Sequence, residues 1–278
     1  MLKKLYKFLH PRWQSVFLDY SVNPKPRYGH GKSTHSQLTV CIAKHKDNYA
    51  AFLQQLAKHI DAFKTIPKKS AKGTGLHWDN GYFPMLDIMV LYGMIAKHKP
   101  KRFIEVGSGN STYVAHKART DLQLDLEIIS IDPDPRQEIA SLVDSQHKIA
   151  FEELEFDKIN VENGDILFID NSHRIFPNSD SMVFFMEVLP SLPKGVIVQL
   201  HDIYLPHDYP QFMCDRFYSE QYLLAAFLLS NEDRYRTVFP SYFVSQEKDF
   251  ASEIDDLFKE LPDIHNEKHG GSYWITVH

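Results

Sequence analysis

Four carboxylates and two histidines stand where a strand would hand over to a loop. They are Glu105, Asp132, Asp170 and Asp202, with His173 three residues after Asp170 and His201 beside Asp202. Carboxylates accept hydroxyls and attract amines, and an imidazole on a strand-leaving loop can take a proton from an acceptor. The most informative stretch is residues 102–112, Arg-Phe-Ile-Glu-Val-Gly-Ser-Gly-Asn-Ser-Thr. An apolar run enters Gly107-Ser108-Gly109 and continues into helical sequence through Asn110 and Ser111. Glycines there let the backbone turn sharply and approach a ligand closely, and the start of the following helix offers free N–H groups. A dinucleotide fingerprint would place a third glycine at position 112, where this chain has the β-branched Thr112, so close packing around a pyrophosphate is disfavoured. Glu105, inside the strand end, suits a cationic amine better than a diphosphate. Asp132 ends the next apolar run and can accept both hydroxyls of a ribose. Taken together, these features favour S-adenosylmethionine, which has an adenosine, an amine and a carboxylate but no phosphate, over NAD.

The elements that must position these groups are legible from hydrophobic periodicity. Strands are expected at 102–106, 127–131, 165–169 and 195–200, and helices at 111–119, 137–143 and 179–189. Strands alternating with helices of this length imply a parallel sheet with helices on both faces. Continuous runs such as Ile166-Leu167-Phe168-Ile169 suit strands buried on both faces. Ahead of this core, Leu38, Val40 and Ile42 suggest a short extended piece. Tyr49, Phe52, Leu53, Leu56, Ile60 and Phe63 line one helical face, and a helix from about residue 82 carries Met85, Ile88, Met89, Leu91, Tyr92 and Ile95. After the core, 218–229 and 250–261 read as helices, 237–244 as extended and 272–277 as a final strand. The expected fold class is α/β. It is a Rossmann-like doubly wound sheet, mostly parallel with a late antiparallel strand, plus an N-terminal helical extension over 1–75 and the main domain over 76–278.

Composition narrows the function classes. The chain has 278 residues, 31 Lys+Arg against 36 Asp+Glu, and a formal charge of -5. That balance speaks against a nucleic-acid partner. Cys41 and Cys214 are the only cysteines, so no disulfide framework exists and a reducing, cytoplasmic location is expected. No apolar run reaches the ~20 residues of a transmembrane helix. The basic, apolar start of the chain, residues 1–9, reads as an amphipathic helix docked on the domain rather than a membrane anchor.

Glu105-Val-Gly-Ser-Gly-Asn110, Ile131-Asp132 and the ordered later strands resemble the class I S-adenosylmethionine-dependent methyltransferases over roughly residues 80–278. The resemblance implies that Glu105, Gly107, Ser108, Gly109, Asn110, Ser111, Asp132 and Asp170 bind the cofactor. Two further motifs, Asp170-Asn-Ser-His173 and His201-Asp202, are similar to a subgroup that includes metal-dependent sugar O-methyltransferases. In that subgroup the first Asp and the acidic pair after the next strand bind magnesium, and the His is the general base. Carried onto this chain, the metal set is Asp170, His201 and Asp202, and the base is His173. The relatives usually carry an acid where this chain has His201, which suits a transition metal better than magnesium. The implied partner is a small-molecule or sugar-like acceptor, and a homo-oligomer is compatible with the sequence. An NAD-dependent oxidoreductase, a non-haem iron site on His173, His201 and Asp202, and a non-catalytic binding module stay open at this point. Tyr204, Tyr209, Phe212, Phe217, Tyr218 and Tyr222 are read as either a lid over the acceptor or loop packing. Trp78, Asn80 and Phe83 either close the cofactor pocket or plug the sheet edge.

Overall fold

A computed structural model describes residues 6, 8, 10, 14–70, 74–135, 138–262 and 268–278. Most of the basic stretch at 1–9 therefore lies outside the described residues. Seven strands form one sheet: β1 Arg102–Val106, β2 Glu127–Ile131, β3 Ser145–His147, β4 Ile166–Ile169, β5 Ile197–Leu200, β6 Tyr235–Pro240 and β7 Tyr273–Val277. The spatial order is β3-β2-β1-β4-β5-β7-β6. The pairs from β3 through β5 are parallel, and β7 runs antiparallel to both β5 and β6. The mostly parallel Rossmann-like sheet with a late antiparallel strand is thus the observed fold. β1 and β2 begin and end where the apolar runs placed them. The side chains of β4 and β5 are buried at every position, as strands covered on both faces require.

The helices flank this sheet. They are α1 Ser36–Ala43, α2 Lys46–Ala57, α3 Ile60–Lys64, α4 Met85–His98 and α5 Asn110–Asp121 before the middle of the chain. α4 packs on α5, and α2 packs on α4. Leu38, Tyr49, Phe52, Leu56 and Phe63 from the early helices share one hydrophobic core with the sheet. Further on, α6 starts as Asp180–Val183, passes through a π turn at Phe184–Val188 and ends with Leu189–Ser191. It is followed by α7 Gln211–Cys214, α8 Glu220–Ser230, α9 Ser241–Gln246 and α10 Ala251–Phe258. No helix among the described residues is long and apolar enough to cross a membrane.

Three local expectations differ from the structure. The stretch around Leu38 is helical, not extended. Leu38, Cys41 and Ile42 are the buried positions while Val40 is 65% exposed, a helical spacing, and the His35 ring accepts from the Leu38 N–H at the helix start. The helix expected over 137–143 does not form in its described part, 138–143. There the chain turns, with Leu142 N–H bonded to the Ile139 carbonyl, and then adds β3 as an edge strand. The extended stretch expected over 237–244 stops at Pro240 and continues as α9, because its partner strand ends at Tyr273 and Ser241 N–H is taken by the Ser272 carbonyl.

Candidate active site

The expected site residues fall at the carboxyl ends of β1, β2, β4 and β5, as is general for open α/β sheets. Gly107, Ser108, Asp132, Asp170, His173, His201 and Asp202 border one cavity of about 960 Å3, while Glu105, Gly109, Asn110 and Ser111 are not part of its lining. Its first half is built on the β1–α5 turn. Gly107 has φ +80°, in the left-handed region that favours glycine, and a Cβ there would lie 1.9 Å from the backbone oxygen of Asp170. Only a glycine lets the turn pass this close to the end of β4. Gly109 is different: its φ of 171° is ordinary extended backbone, and a Cβ there would meet nothing within 4 Å. That side of the turn is open to a ligand.

Asp132 sits beside this turn. One carboxylate oxygen accepts from Ser108 N–H at 2.7 Å and the other from Asp134 N–H at 2.8 Å. The Ser108 hydroxyl bonds Ser130 at 2.7 Å. Asn110 donates its amide to Asn80, whose carbonyl oxygen also accepts from Tyr82 and Phe83 N–H. Asn80 therefore fastens the 77–83 loop to the glycine turn. Below the turn Glu105 is fully buried, accepting from the Thr112 hydroxyl. Burial pushes its carboxyl up to about 8, against the pull of the Ser111, Thr112 and Ser108 hydroxyls, so at neutral pH it is largely protonated.

The second half of the cavity centres on His173. Its backbone takes φ +62°, and Asp202 takes +54°. Left-handed non-glycine residues are uncommon and tend to mark sites held in place by their surroundings. The imidazole is 6% exposed and stacks on Tyr218, with ring centroids 4.6 Å apart. Nδ1 contacts the buried Glu220 carboxylate. Nε2 faces Asp170 at 3.3 Å and Asp202 at 3.5 Å. Burial alone would strip the ring of its proton, but the carboxylates of Glu220, Asp170 and Asp202 outweigh it and hold the imidazole charged well above the usual histidine range.

This arrangement answers the question of a metal. Asp170 and Asp202 converge on the imidazolium nitrogen, so the cation between them is His173 itself. His201 stands apart, its ring packed edge-on to Phe83 at 5.1 Å with Nδ1 buried and unbonded. Among the described residues, no group of three or more His, Cys, Asp or Glu side chains is placed to hold a metal ion. The donor set Asp170, His201 and Asp202 is not assembled, and the residues present do not fit a divalent cation.

The aromatic residues divide. Tyr204, Phe212 and Tyr218 border the cavity, while Tyr209 is fully buried behind them and Tyr222 donates to the Asp208 carboxylate. A strap before α1 closes this side. Asp208 N–H bonds the Tyr28 carbonyl, His35 N–H the Pro206 carbonyl, and Arg27 N–H the Asp208 carboxylate at 2.8 Å. His30 donates to the Asp208 carbonyl at 2.9 Å and lines the cavity. Sequence reasoning missed both the strap and Glu220. Glu220 lies 47 residues from His173 at the start of an apolar helix, where an acid ordinarily complements the helix dipole.

The fold and site define a Rossmann-like α/β protein whose polar groups gather at the carboxyl ends of its parallel strands. No protein-family model and no curated protein matches the chain. Among solved structures, a Podospora anserina methyltransferase with SAH bound is similar over 84% of this chain and 96% of its own length, at 15% identity and a TM-score of 0.42. The plantazolicin methyltransferase, in complex with a triazolic desmethyl analogue and SAH, is similar over 86% of this chain and 99% of its own, at 11% identity and a TM-score of 0.39. A structure of cmcI with SAH matches 42% of this chain and 60% of its own length, at 12% identity and a TM-score of 0.32, so the chain spans less than two thirds of that protein.

Proposed function

We propose that this protein is an S-adenosylmethionine-dependent methyltransferase that methylates an oxygen of a small, sugar-like acceptor. The observation that carries the reading is the juxtaposition at the β1–α5 turn. A carboxylate suited to ribose hydroxyls, Asp132, lies on one side of a glycine whose outer face is open, and a buried acid suited to an amine, Glu105, lies below it. Asp132 would hold the ribose, while Glu105 and the loop from Gly107 through Ser111 would hold the methionine end, with Asp170 beside it. The bound cofactor supplies an electrophilic methyl group on a sulfonium.

The chain's own residues do the rest. The cavity runs from the glycine turn to His173, so an acceptor hydroxyl placed against Nε2 faces the cofactor half, and much of the acceleration comes from that placement. Glu220 fixes Nδ1, which leaves Nε2 as the nitrogen that exchanges a proton with the acceptor. Because three carboxylates hold the ring charged, its basic form is populated only as pH rises beyond the ordinary histidine range, and turnover climbs with pH. No step is routed through a metal.

The test is calorimetric titration of the full chain with S-adenosylmethionine, S-adenosylhomocysteine and NAD, each with EDTA and with magnesium. The expected result is binding of the two sulfur nucleotides in either condition, lost in D132A. Binding of NAD alone, or of nothing, would overturn the reading.

A further inference from the structure

The cavity carries six acids along its walls, yet its permanently charged cations are just two, Arg174 and Arg216, among the described residues. Both stand in the acceptor half. The Arg174 guanidinium lies over the Tyr218 ring with its carbon 5.2 Å from the centroid, and that of Arg216 at 4.7 Å. The same ring stacks on His173. Each guanidinium is thus one aromatic ring away from the proposed base.

Neither guanidinium is paired with an acid among the described residues, whereas His173 faces Glu220, Asp170 and Asp202. The nearby Asp180 carboxylate is occupied by Ser172 N–H and hydroxyl and by Ser181 N–H. Arg174 is nonetheless fixed in place. Its Nε donates to the Arg216 carbonyl at 2.9 Å and its Nη1 to the Ser172 carbonyl at 2.8 Å. The two segments that bear the arginines are also stitched together, by Ser219 N–H to the His173 carbonyl and Ile175 N–H to the Ser219 hydroxyl. These contacts consume part of Arg174's donor set; among the described residues neither its Nη2 nor the Arg216 guanidinium makes a hydrogen bond to protein. A fixed Arg174 and an exposed Arg216 over the same Tyr218 ring, neither with a counter-charge among the described residues, at the edge of a cavity otherwise rich in acids, suit a planar or tetrahedral oxyanion.

The geometry points to an acceptor that carries an anionic group, a phosphate or a carboxylate, held between Arg174 and Arg216 while its hydroxyl reaches His173. This inference rests on the methyl-transfer reading for the role of the hydroxyl but not for the anion site. The acids on the cofactor side, Asp132, Asp134 and Glu152, then repel the anionic end and set the direction in which the acceptor enters.

The experiment uses the full-length protein with S-adenosylhomocysteine present and again without it. Inorganic phosphate and, in a separate arm, malonate are titrated at constant ionic strength by calorimetry into wild type, R174Q and R216Q. R216Q removes a guanidinium with no hydrogen bond to protein among the described residues, so it keeps the question open if R174Q does not fold; thermal unfolding checks both. The expected result is that at least one anion binds wild type and that each variant weakens it by about tenfold or more, while S-adenosylhomocysteine affinity stays within twofold. The arm that binds more tightly assigns phosphate or carboxylate. Binding of neither anion to wild type, or equal binding in wild type and both variants, overturns the proposal. Failure of S-adenosylhomocysteine to bind wild type counts against the methyl-transfer reading alone, because the titrations without nucleotide still decide the anion site.

Discussion

Replacing Gly107 and Gly109 one at a time by alanine separates folding from binding within a single turn. At Gly107 the new methyl group falls 1.9 Å from the Asp170 backbone oxygen, and the residue must keep φ near +80°. A left-handed alanine costs about 1–2 kcal/mol, and forcing a carbon into packed backbone adds about 1–3 kcal/mol. G107A is therefore expected to lose about 2–5 kcal/mol in urea-induced unfolding followed by tryptophan fluorescence. At Gly109 the backbone is extended and the methyl group points into open space. G109A is expected to change stability by less than about 0.5 kcal/mol yet weaken S-adenosylhomocysteine binding by about tenfold, a loss of about 1.4 kcal/mol, because the methyl occupies the side of the turn where the ligand lies. A G107A loss below about 1 kcal/mol would refute the close-approach argument. A G109A variant that binds S-adenosylhomocysteine as wild type does would refute the placement of the cofactor.

Other consequences follow from the buried charges. Glu105 is raised from the ordinary carboxyl value to about 8, so the folded state holds its proton where the unfolded state has lost it. Stability falls as pH rises from about 4.5 towards 8, and E105Q is expected to flatten that slope in denaturation series across the range; an unchanged slope would contradict the burial argument. When an amine docks against Glu105 the carboxyl ionises, so S-adenosylhomocysteine binding near pH 6.5 releases protons. Calorimetry in two buffers of different ionisation enthalpy measures this, and identical heats would count against it. His173 is raised above the histidine range, so its stabilising charge is fully present below about 6.5 and is lost as pH rises through the raised value. E220Q removes the Nδ1 carboxylate, shifts that loss to lower pH, and moves the alkaline rise of turnover with it. A turnover profile that stays put in E220Q would remove Glu220 from its positioning role.

Much of the fold was legible because parallel strands buried on both faces leave an uninterrupted apolar signature. β1 and β2 could be bounded to the residue, and the reversed final strand was expected. The early helix at Leu38 was misread because three alternating apolar residues fit a strand as well as a helix, and the deciding fact, burial of Cys41 rather than Val40, is tertiary. Edge strand β3 spans three half-buried residues, Ser-Gln-His, with no hydrophobic pattern to announce it. The turn from β1 into α5 was legible because one continuous strand-turn-helix carries it. The cluster around His173 was legible only in part. His173 and Asp202 were found by motif, but their grouping with Glu220 depends on loop returns that no local spacing encodes. His201 and Asp202 are neighbours in sequence at a strand end with different contacts: Asp202 turns to His173, while the His201 ring packs on Phe83.

The strap from Pro24 to His35 brings His30 to the edge of the cavity without belonging to the sheet. Its own main chain makes most of its fastening: His35 N–H to the Pro206 carbonyl, Arg27 N–H to the Asp208 carboxylate, and the Tyr28 and Pro24 carbonyls accepting from Asp208 N–H and the Gln211 amide. Main-chain bonds tolerate exchange of the side chains they carry. Replacements in this strap can therefore reshape the cavity edge around His30 while the glycine turn and Asp132 keep their contacts.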